Sequence, residues 1–207
     1  MRAIFGRQDV GVNEVRRALP AVVRAFWTFP ETVHLLPNEA NRRRVLPRYL
    51  AADMHDAARF GGLHVAENDG QVLGAVAWLP PGKYPIGLGR ELRQLARFVP
   101  VLPWAIGAAR EGQRGQRTNR AQHRRFAEPH YFLRMIGVDP ERQRSGVGRR
   151  RLAPMLDQAD DEHVGCFLFT ATEANAAWYA GMGFDVAARY KPTPTWPEVS
   201  AMWRAPR

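Results

Sequence analysis

The chain has 207 residues, of which 45% are hydrophobic and 24% are charged, as in a soluble globular protein. Its apolar stretches are shorter than the roughly 18 residues that a transmembrane helix needs, and the N-terminus lacks the apolar core of a signal peptide. The net charge of +10 comes almost entirely from arginine, which fits either nucleic acid or a compact polyanionic ligand. The single cysteine, Cys166, excludes an internal disulfide and favours a cytoplasmic location.

The first predicted elements are a short strand at 4–9 and a helix in which apolar residues recur at helical spacing from Val12 to Phe26. Pro20 lies inside this helix and predicts a kink or a break there. A second helix is predicted from Glu39 to Phe60, where two glycines follow and end it.

A β-hairpin is predicted next, with strands at 63–67 and 71–79, because Asp69-Gly70 supplies the positive φ angles of a tight turn. Residues 83–127 then form a long insertion with helical character. Its most apolar part, 95–109, contains an arginine and two prolines, which favours a buried or groove-lining segment over a membrane span.

The second half of the chain alternates strands and helices. The predicted elements are a strand at 131–138, a helix at 149–159, a strand at 166–170, a helix at 174–181, and strands at 184–190 and 199–203. Pro154 predicts a bend in the first of these helices. The order of elements predicts a mixed α/β protein with one compact sheet.

The turn Gln143–Gly148 connects the strand at 131–138 to the helix that follows it. Two glycines at such a junction allow successive backbone N–H groups to point outward at the positive end of the helix dipole, which is a seat for phosphate. Five arginines surround the seat: Arg142, Arg144, Arg149, Arg150 and Arg151. The turn therefore predicts a phosphate-bearing cofactor.

Two common nucleotide sites do not match this turn. A Walker loop ends in Gly-Lys-Ser/Thr, whereas Gly148 is followed by Arg149. A dinucleotide fingerprint has three glycines and an acidic residue at the end of the next strand, where this chain has Thr170 and no carboxylate before Glu173.

Downstream of the turn, a strand is followed by Asn175, by Tyr179 four residues later, and by Gly183-Phe184. With the turn, this arrangement resembles the GCN5-related N-acetyltransferase (GNAT) superfamily, in its puromycin N-acetyltransferase-like branch. The close resemblance covers about residues 128–190. It implies a single domain over 1–207, with a mixed, mostly antiparallel central sheet flanked by helices and with splayed central strands.

The resemblance also implies acetyl-CoA as cofactor, with the amides from Arg144 to Arg149 on its pyrophosphate. The free edge of the strand at 136–138 would pair with pantetheine, and a backbone N–H there would polarise the thioester carbonyl. Gly137 suits a local bulge in this strand. The implied cofactor residues are Ile136, Gly137, Val138, Gln143, Arg144, Ser145, Gly146, Val147, Gly148, Arg149 and Asn175.

Three residues lead the candidates for proton transfer, ahead of His34, Asp53, His55 and Asp56 in the early helices. By its position in the motif, Tyr179 would donate its phenolic proton to the leaving sulfur, although a packed core tyrosine is the alternative. Glu128 and His130, just before the strand at 131–138, are candidate general bases, and a surface role is the alternative for both. Asn175 would bind pantetheine, orient the helix that carries Tyr179, or serve only as a helix cap.

Aromatic residues indicate a medium-sized hydrophobic or aromatic acceptor, although core packing is the alternative for each of them. The candidates are Phe26, Trp27, Phe29, Tyr49, Trp78 and Tyr131, with Trp104 from the insertion. The leading prediction is acetylation of a small-molecule amine. Acetylation of a hydroxyl or of a protein amine, and a silent acyl-CoA sensor, remain alternatives, and a nucleic-acid-binding module lacks a recognisable motif. No metal or membrane partner is expected, and a homodimer is left open.

Overall fold

The computed structural model describes the backbone of residues 8–207 and the side chains from residue 11 onward. Seven helices and six strands make up this part of the chain. In chain order they are α1 (Gln8–Phe26), α2 (Pro30–Leu35), α3 (Glu39–Ala58), β1 (Leu63–Asn68), β2 (Gln71–Leu79), α4 (Leu88–Ala96), α5 (Leu102–His123), β3 (His130–Val138), α6 (Val147–Asp161), β4 (Gly165–Thr170), α7 (Glu173–Ala180), β5 (Asp185–Tyr190) and β6 (Val199–Arg204).

The six strands form one sheet in the order β1-β2-β3-β4-β6-β5. Neighbouring strands run antiparallel except for β3 and β4, which are parallel and are connected through α6. This is the mixed, mostly antiparallel sheet that the sequence predicted. None of the helices in the described residues is long and apolar enough to cross a membrane.

Two apolar cores lie on the two faces of the sheet because side chains alternate along each strand. On one face, Phe132 of β3 packs with residues of α1, α3 and α5. On the other face, Leu133 packs with Leu152 and Met155 of α6 and with Tyr179 of α7. Strand β3 therefore has helices on both sides, which explains its nearly continuous apolar sequence.

The middle of the sheet opens where β3 and β4 diverge. The two strands pair only from His130–Leu133 to Gly165–Leu168, and residues 134–138 of β3 continue past the last pair. The other edge of β3 remains paired with β2 as far as Val138. This opening is the splay of central strands that the sequence predicted.

A β-bulge in β3 lies at the start of the opening. Met135 pairs with Ala77 and Leu133 pairs with Trp78, so that Arg134 is the extra residue. The prediction of a bulge at Gly137 is wrong, because Gly137 pairs in register with Ala75. The glycine instead allows α1 to pack closely on β3, since a Cβ at this position would lie 3.2 Å from Val22 Cγ1 and 3.1 Å from Phe26 Cε2.

Both prolines that predicted a helix irregularity lie inside continuous helices: Pro20 in α1 and Pro154 in α6. Each helix has a fully buried face, with Val22 in α1 and Leu152 in α6. Packing of that face onto the sheet compensates the backbone hydrogen bond that proline removes. The predicted first strand lies outside the described residues except for Gln8 and Asp9, which belong to α1.

Two features of the fold differ from the prediction: helix α2, which was not predicted, and the exposure of part of the insertion. Pro30 begins the short helix α2, where proline is favourable because the first helical N–H needs no partner. Residues 83–127 form α4 and α5, as their helical character predicted. However, the apolar stretch 95–109 is mostly exposed, with Val101 and Ala105 as its buried residues. Of the two predicted alternatives, a buried or a groove-lining segment, the buried one is therefore wrong.

Candidate active site

The turn Gln143–Gly148 has the backbone geometry of an anion seat. Arg144 and Gly146 both have left-handed backbone angles, with φ values of 62° and 76°, and Gly146 is the N-cap of α6. None of the backbone N–H groups of residues 144–149 donates a hydrogen bond to another described residue. These six adjacent donors point to an anion because an unpaired helix N-terminus carries partial positive charge.

Hydrogen bonds from nearby side chains hold the turn in place. Gln143 Nε2 donates to Val138 O at 3.1 Å, and Ser145 Oγ donates to Arg142 O at 2.5 Å. Asp139, which is buried, accepts from Arg24 Nε of α1 at 2.9 Å. Because Arg24 donates to it, the pKa of Asp139 lies below its ordinary value. Helix α1 therefore anchors the start of the turn.

The turn, the open half of β3 and helix α7 meet at one place. A Cβ on Gly148 would lie 3.4 Å from Ile136 Cδ1 and 3.3 Å from Trp178 Cζ2. Of the predicted cofactor residues, Ile136 and Gly148 are thus brought together directly. Trp178, which lies next to the predicted proton donor Tyr179 in α7, is part of this meeting point.

Helix α7 carries Asn175 and Tyr179. Thr172 is the N-cap and accepts the backbone N–H of Asn175 at 3.2 Å, so the alternative in which Asn175 caps the helix is wrong. Tyr179 is 6% exposed and packs against Trp178 and Phe184. Burial raises the pKa of Tyr179, and its hydroxyl has no hydrogen-bond partner among the described residues.

A cluster of polar side chains lies on the α1 and α3 side of β3; we call it the acceptor recess, after the acceptor site that the sequence predicts. Its central feature is an ion pair in which Arg134 Nη2 donates to Asp53 Oδ1 of α3 at 2.8 Å. The Arg134 side chain is 14% exposed and that of Asp53 is 5% exposed. Burial raises the pKa of Asp53, and the charge of Arg134 opposes that rise.

Glu31 of α2 also belongs to the acceptor recess, since the charge of Arg134 acts on it. Its Oε1 accepts from Trp196 Nε1 at 3.2 Å, and Oε2 has no partner among the described residues. Burial raises the pKa of Glu31, while the Trp196 hydrogen bond and the charge of Arg134 oppose the rise. The recess therefore contains a carboxylate with a raised pKa and one free oxygen.

The segment 191–198 between β5 and β6 contacts the acceptor recess through Trp196. Trp196 lies on Gly115 of α5, where a Cβ would come within 2.6 Å of the indole ring. Tyr190 at the end of β5 donates to Asn119 Oδ1 at 2.8 Å. These contacts join α5 of the insertion to the far edge of the sheet and place Trp196 over Glu31.

The two predicted general bases do not reach the opening. Glu128 is exposed in the loop before β3. His130 is buried at the start of β3, where its Nδ1 contacts Glu128 O at 2.7 Å and its Nε2 contacts His123 Nε2 at 2.7 Å. Because a carbonyl only accepts, His130 carries its proton on Nδ1, and His123 donates from Nε2. Both ring nitrogens of His130 are thus occupied, which corrects the assignment of His130.

The predicted acceptor aromatics divide between the two faces of the sheet. Phe26 lies beside Gly137 on the recess side and packs edge-to-face with Phe29 at 5.5 Å between centroids. Tyr49 is 38% exposed and lies close enough to Asp53 for that carboxylate to raise its pKa, after burial as the larger cause. Phe26, Phe29 and Tyr49 therefore remain candidates for contact with the acceptor. Trp27 packs under Arg42, with 5.2 Å between Arg42 Cζ and the centroid of the indole ring.

Trp78 and Tyr131 belong to the opposite face, so their assignment to the acceptor pocket is wrong. Their rings pack edge-to-face at 4.8 Å between centroids within the core beneath α6. The Tyr131 hydroxyl donates to Glu162 Oε2 at 2.5 Å. Trp104 does not belong to the acceptor recess either. It is 40% exposed, and the Arg44 guanidinium lies over its ring.

Sequence reasoning missed Arg134, Glu31 and Tyr84. Tyr84 is buried and stacks on Phe132 with 3.8 Å between ring centroids. One sequence signal could have found Arg134: a cation inside an apolar strand needs a buried partner, and the structure provides one in Asp53.

Comparison with known proteins agrees with this geometry. The model of the Acetyltransferase (GNAT) family matches residues 21–184. A solved structure of histone acetyltransferase HPA2 and related acetyltransferase from Corynebacterium glutamicum has a TM-score of 0.63 and 15% identity, covering 94% of this chain and 92% of that one.

Two further structures show the same fold at low identity. Agmatine N-acetyltransferase has a TM-score of 0.59 and 17% identity, with 94% of this chain and 95% of that chain covered. Polyamine N-acetyltransferase from Drosophila melanogaster has a TM-score of 0.57 and 17% identity, with 94% and 96% covered.

Proposed function

Because the chain belongs to the GNAT acetyltransferase family and is therefore an acyltransferase enzyme, we propose that it acetylates the amine of a small molecule. The transfer is direct, from acetyl-CoA to the amine within a ternary complex. The observation that carries this proposal is the run of six unpaired backbone N–H groups at residues 144–149, placed beside the opened half of β3.

The residues of the opening fit acetyl-CoA. The amides of the turn would hold its pyrophosphate, and the exposed cations Arg144, Arg149 and Arg150 add positive charge around them. The free edge of β3 at 136–138 offers backbone groups for the amides of pantetheine, and Asn175 is a further donor and acceptor on α7. When bound, acetyl-CoA supplies an activated thioester carbonyl.

Tyr179 is the proposed proton donor. Burial keeps its Oη protonated at neutral pH because the phenolate would be poorly solvated. The proton on Oη has no acceptor among the described residues, so it is free for the sulfur that leaves the acetyl group. Cys166 needs no role, since it is buried and burial raises the pKa of its thiol to about 12.

Glu31 is the proposed acceptor of the amine proton, in place of Glu128 and His130. A small amine is mostly protonated at neutral pH, so it must lose a proton before attack. Glu31 has one free oxygen and a raised pKa, both of which suit a base for this step. The names of two structural neighbours, an agmatine and a polyamine N-acetyltransferase, support a basic amine as acceptor.

The direct test is acetyl transfer with free coenzyme A thiol as readout. A panel of polyamines, arylalkylamines, aminoglycosides, one peptide and one alcohol tests the acceptor class. We expect turnover with at least one amine and none with the alcohol. Turnover with peptide amines alone would reject the small-molecule acceptor, and absence of an acetyl-CoA shift in melting temperature would reject the cofactor site.

Glu31→Gln tests the proposed base. Substitution should lower kcat/KM by about 10²–10⁴-fold at neutral pH and remove the acid limb of the pH–rate profile, because no carboxylate is left to deprotonate. Glu128→Gln is the matched control and should retain both the rate and the profile. An unchanged acid limb in the Glu31 variant would contradict the assignment.

A further inference from the structure

Helix α4 has its apolar side exposed. Leu88, Leu92 and Leu95 recur at i, i+4 and i+7 and therefore share one face, yet they are 72%, 57% and 56% exposed, and α4 has no buried residue. The stripe continues along the chain with Val99, Leu102 and Ile106, which are 64%, 43% and 43% exposed. We call these six residues the leucine face.

The polar side of α4 faces the protein body, which is the reverse of the usual arrangement in a globular protein. Arg90 forms an ion pair with buried Asp56 of α3, and its guanidinium lies 4.8 Å from the centroid of Phe60. Glu91 forms an ion pair with Arg120 of α5. Two ion pairs thus fix the rotation of the helix and point the leucines outward.

Unpaired arginines flank the leucine face. Arg93 and Arg97 are exposed, and so is Arg59 at the end of α3. None of the three has a carboxylate partner within the described part of the chain. Burial and the charge of Arg59 both lower the pKa of Arg97, so these two cations are close neighbours. The surroundings of the leucine face are therefore positive.

We propose that the leucine face docks on an anionic lipid surface, with α4 lying along the headgroup boundary and the arginines contacting lipid phosphates. Helices of this composition, with leucines on one side and arginines beside them, bind at that boundary without crossing it. The sequence-based expectation of no membrane partner rested on the absence of a spanning segment, which does not test this mode of contact.

The charges argue against a second copy of the chain as the occupant. A symmetric dimer through this face would bring unpaired arginines of both copies together, and the carboxylates nearest to α4, Asp56 and Glu91, are already paired. Leucines that are more than half exposed also protrude as a ridge, which suits insertion among lipid headgroups.

Co-sedimentation with vesicles tests the proposal. Vesicles of phosphatidylcholine alone are compared with vesicles of equal parts phosphatidylcholine and phosphatidylglycerol. We expect at least about tenfold stronger binding to the anionic vesicles, weakened by salt. Leu92→Ser with Leu95→Ser should weaken that binding by about tenfold or more, because two apolar side chains no longer enter the lipid.

Matched variants separate the helix from general effects. Val33→Ser with Val186→Ser removes apolar side chains that are 39% and 40% exposed elsewhere and should leave binding unchanged. Arg93→Gln with Arg97→Gln should weaken binding to anionic vesicles several-fold, whereas Arg16→Gln with Arg124→Gln should change it little. Thermal unfolding by circular dichroism checks that each variant is folded.

Three outcomes would overturn the proposal. The first is no binding to anionic vesicles. The second is equal binding by the double serine variant at Leu92 and Leu95, which would indicate attraction by net charge alone. The third is a concentration-dependent dimer in sedimentation velocity that this variant dissociates, because the leucine face would then be covered by a second copy.

Discussion

The phosphate turn and the acceptor recess use polar groups in opposite ways. At the turn, the amides of residues 144–149 have no partner, and a ligand can satisfy them without displacing anything. In the recess, the charges of Arg134 and Asp53 are already paired with each other and are buried. The turn can therefore receive a charged ligand, whereas the ion pair of the recess holds its own side chains in place.

The largest expected effect is at the turn. Gly146→Asp should reduce acetyl-CoA affinity on the order of a thousandfold, because losing two hydrogen bonds to a charged group costs about 1.5–3 kcal/mol each. The new Cβ would lie 3.1 Å from Arg150 Nη1 in a backbone with a φ of 76°, and the carboxylate would repel the pyrophosphate. Isothermal titration calorimetry measures the affinity.

Gly70→Asp is the matched control. Gly70 in the turn between β1 and β2 has a φ of 75°, and a Cβ there meets nothing within 4 Å. The two variants impose the same backbone strain, so only loss of the anion seat distinguishes them. Equal affinities in the two variants would show that residues 144–149 do not bind the cofactor.

Substitutions in the acceptor recess should lower the stability of the folded protein. Arg134→Met leaves the buried carboxylate of Asp53 without its partner, which typically costs about 3–5 kcal/mol of unfolding free energy. Adding Asp53→Leu should recover most of that loss, because the uncompensated charge is then gone. Urea denaturation of the two single variants and the double variant measures both effects.

Arg189→Met provides the comparison with an exposed ion pair. Arg189 Nη1 lies 2.5 Å from Glu173 Oε1, and the two side chains are 46% and 70% exposed. Solvent screens such pairs, so the expected loss is below about 1 kcal/mol. Equal losses for Arg134→Met and Arg189→Met would mean that the recess is more hydrated than its burial indicates.

Tyr179→Phe tests the proposed proton transfer to the leaving sulfur, which takes place between the two regions. Turnover should fall about 10²-fold because the donor of one proton is removed, while acetyl-CoA affinity should stay unchanged. Tyr131→Phe is the control, since Tyr131 is also a buried tyrosine but donates to Glu162. Loss of turnover in both variants would point to packing of the core beneath α6 instead of proton transfer.

The sequence predicted the turn well because all of its parts are adjacent in the chain. The strand end, the glycine at 146 and the helix start lie within a few residues, so a local pattern specifies them. The recess is assembled from distant segments: Arg134 and Asp53 are 81 residues apart, and Glu31 and Trp196 are 165 apart. No local pattern contains such pairs.

The errors have the same origin. Sequence position next to β3 favours His130 as a base, but His130 is the first residue of β3, where β4 still pairs, away from the opening. Their aromatic character makes Trp78 and Tyr131 pocket candidates, but alternation along β2 and β3 places them on the α6 face. The β-bulge at Arg134 shifts that alternation, and it is not visible in the sequence.

A pH-dependent effect on stability is expected from the buried pair His123 and His130. Burial lowers the pKa of His123 to about 4 and also lowers that of His130. In the unfolded chain the two histidines take up protons near pH 6.5, whereas in the folded protein they do so only at lower pH. Stability should therefore fall as the pH drops from about 6.5 to about 4, by at most roughly 1.4 kcal/mol per pH unit for each histidine.

Histidine variants separate this structural pair from the chemistry in the acceptor recess. His123→Gln should flatten the pH dependence of unfolding free energy while leaving the acid limb of the pH–rate profile, which we assign to Glu31, in place. His163→Gln is the control, since His163 is exposed and its Nδ1 contacts only the backbone of Asp160. A shifted acid limb in His123→Gln would return His130 to the list of candidate bases, because only a histidine in the proton path would move it.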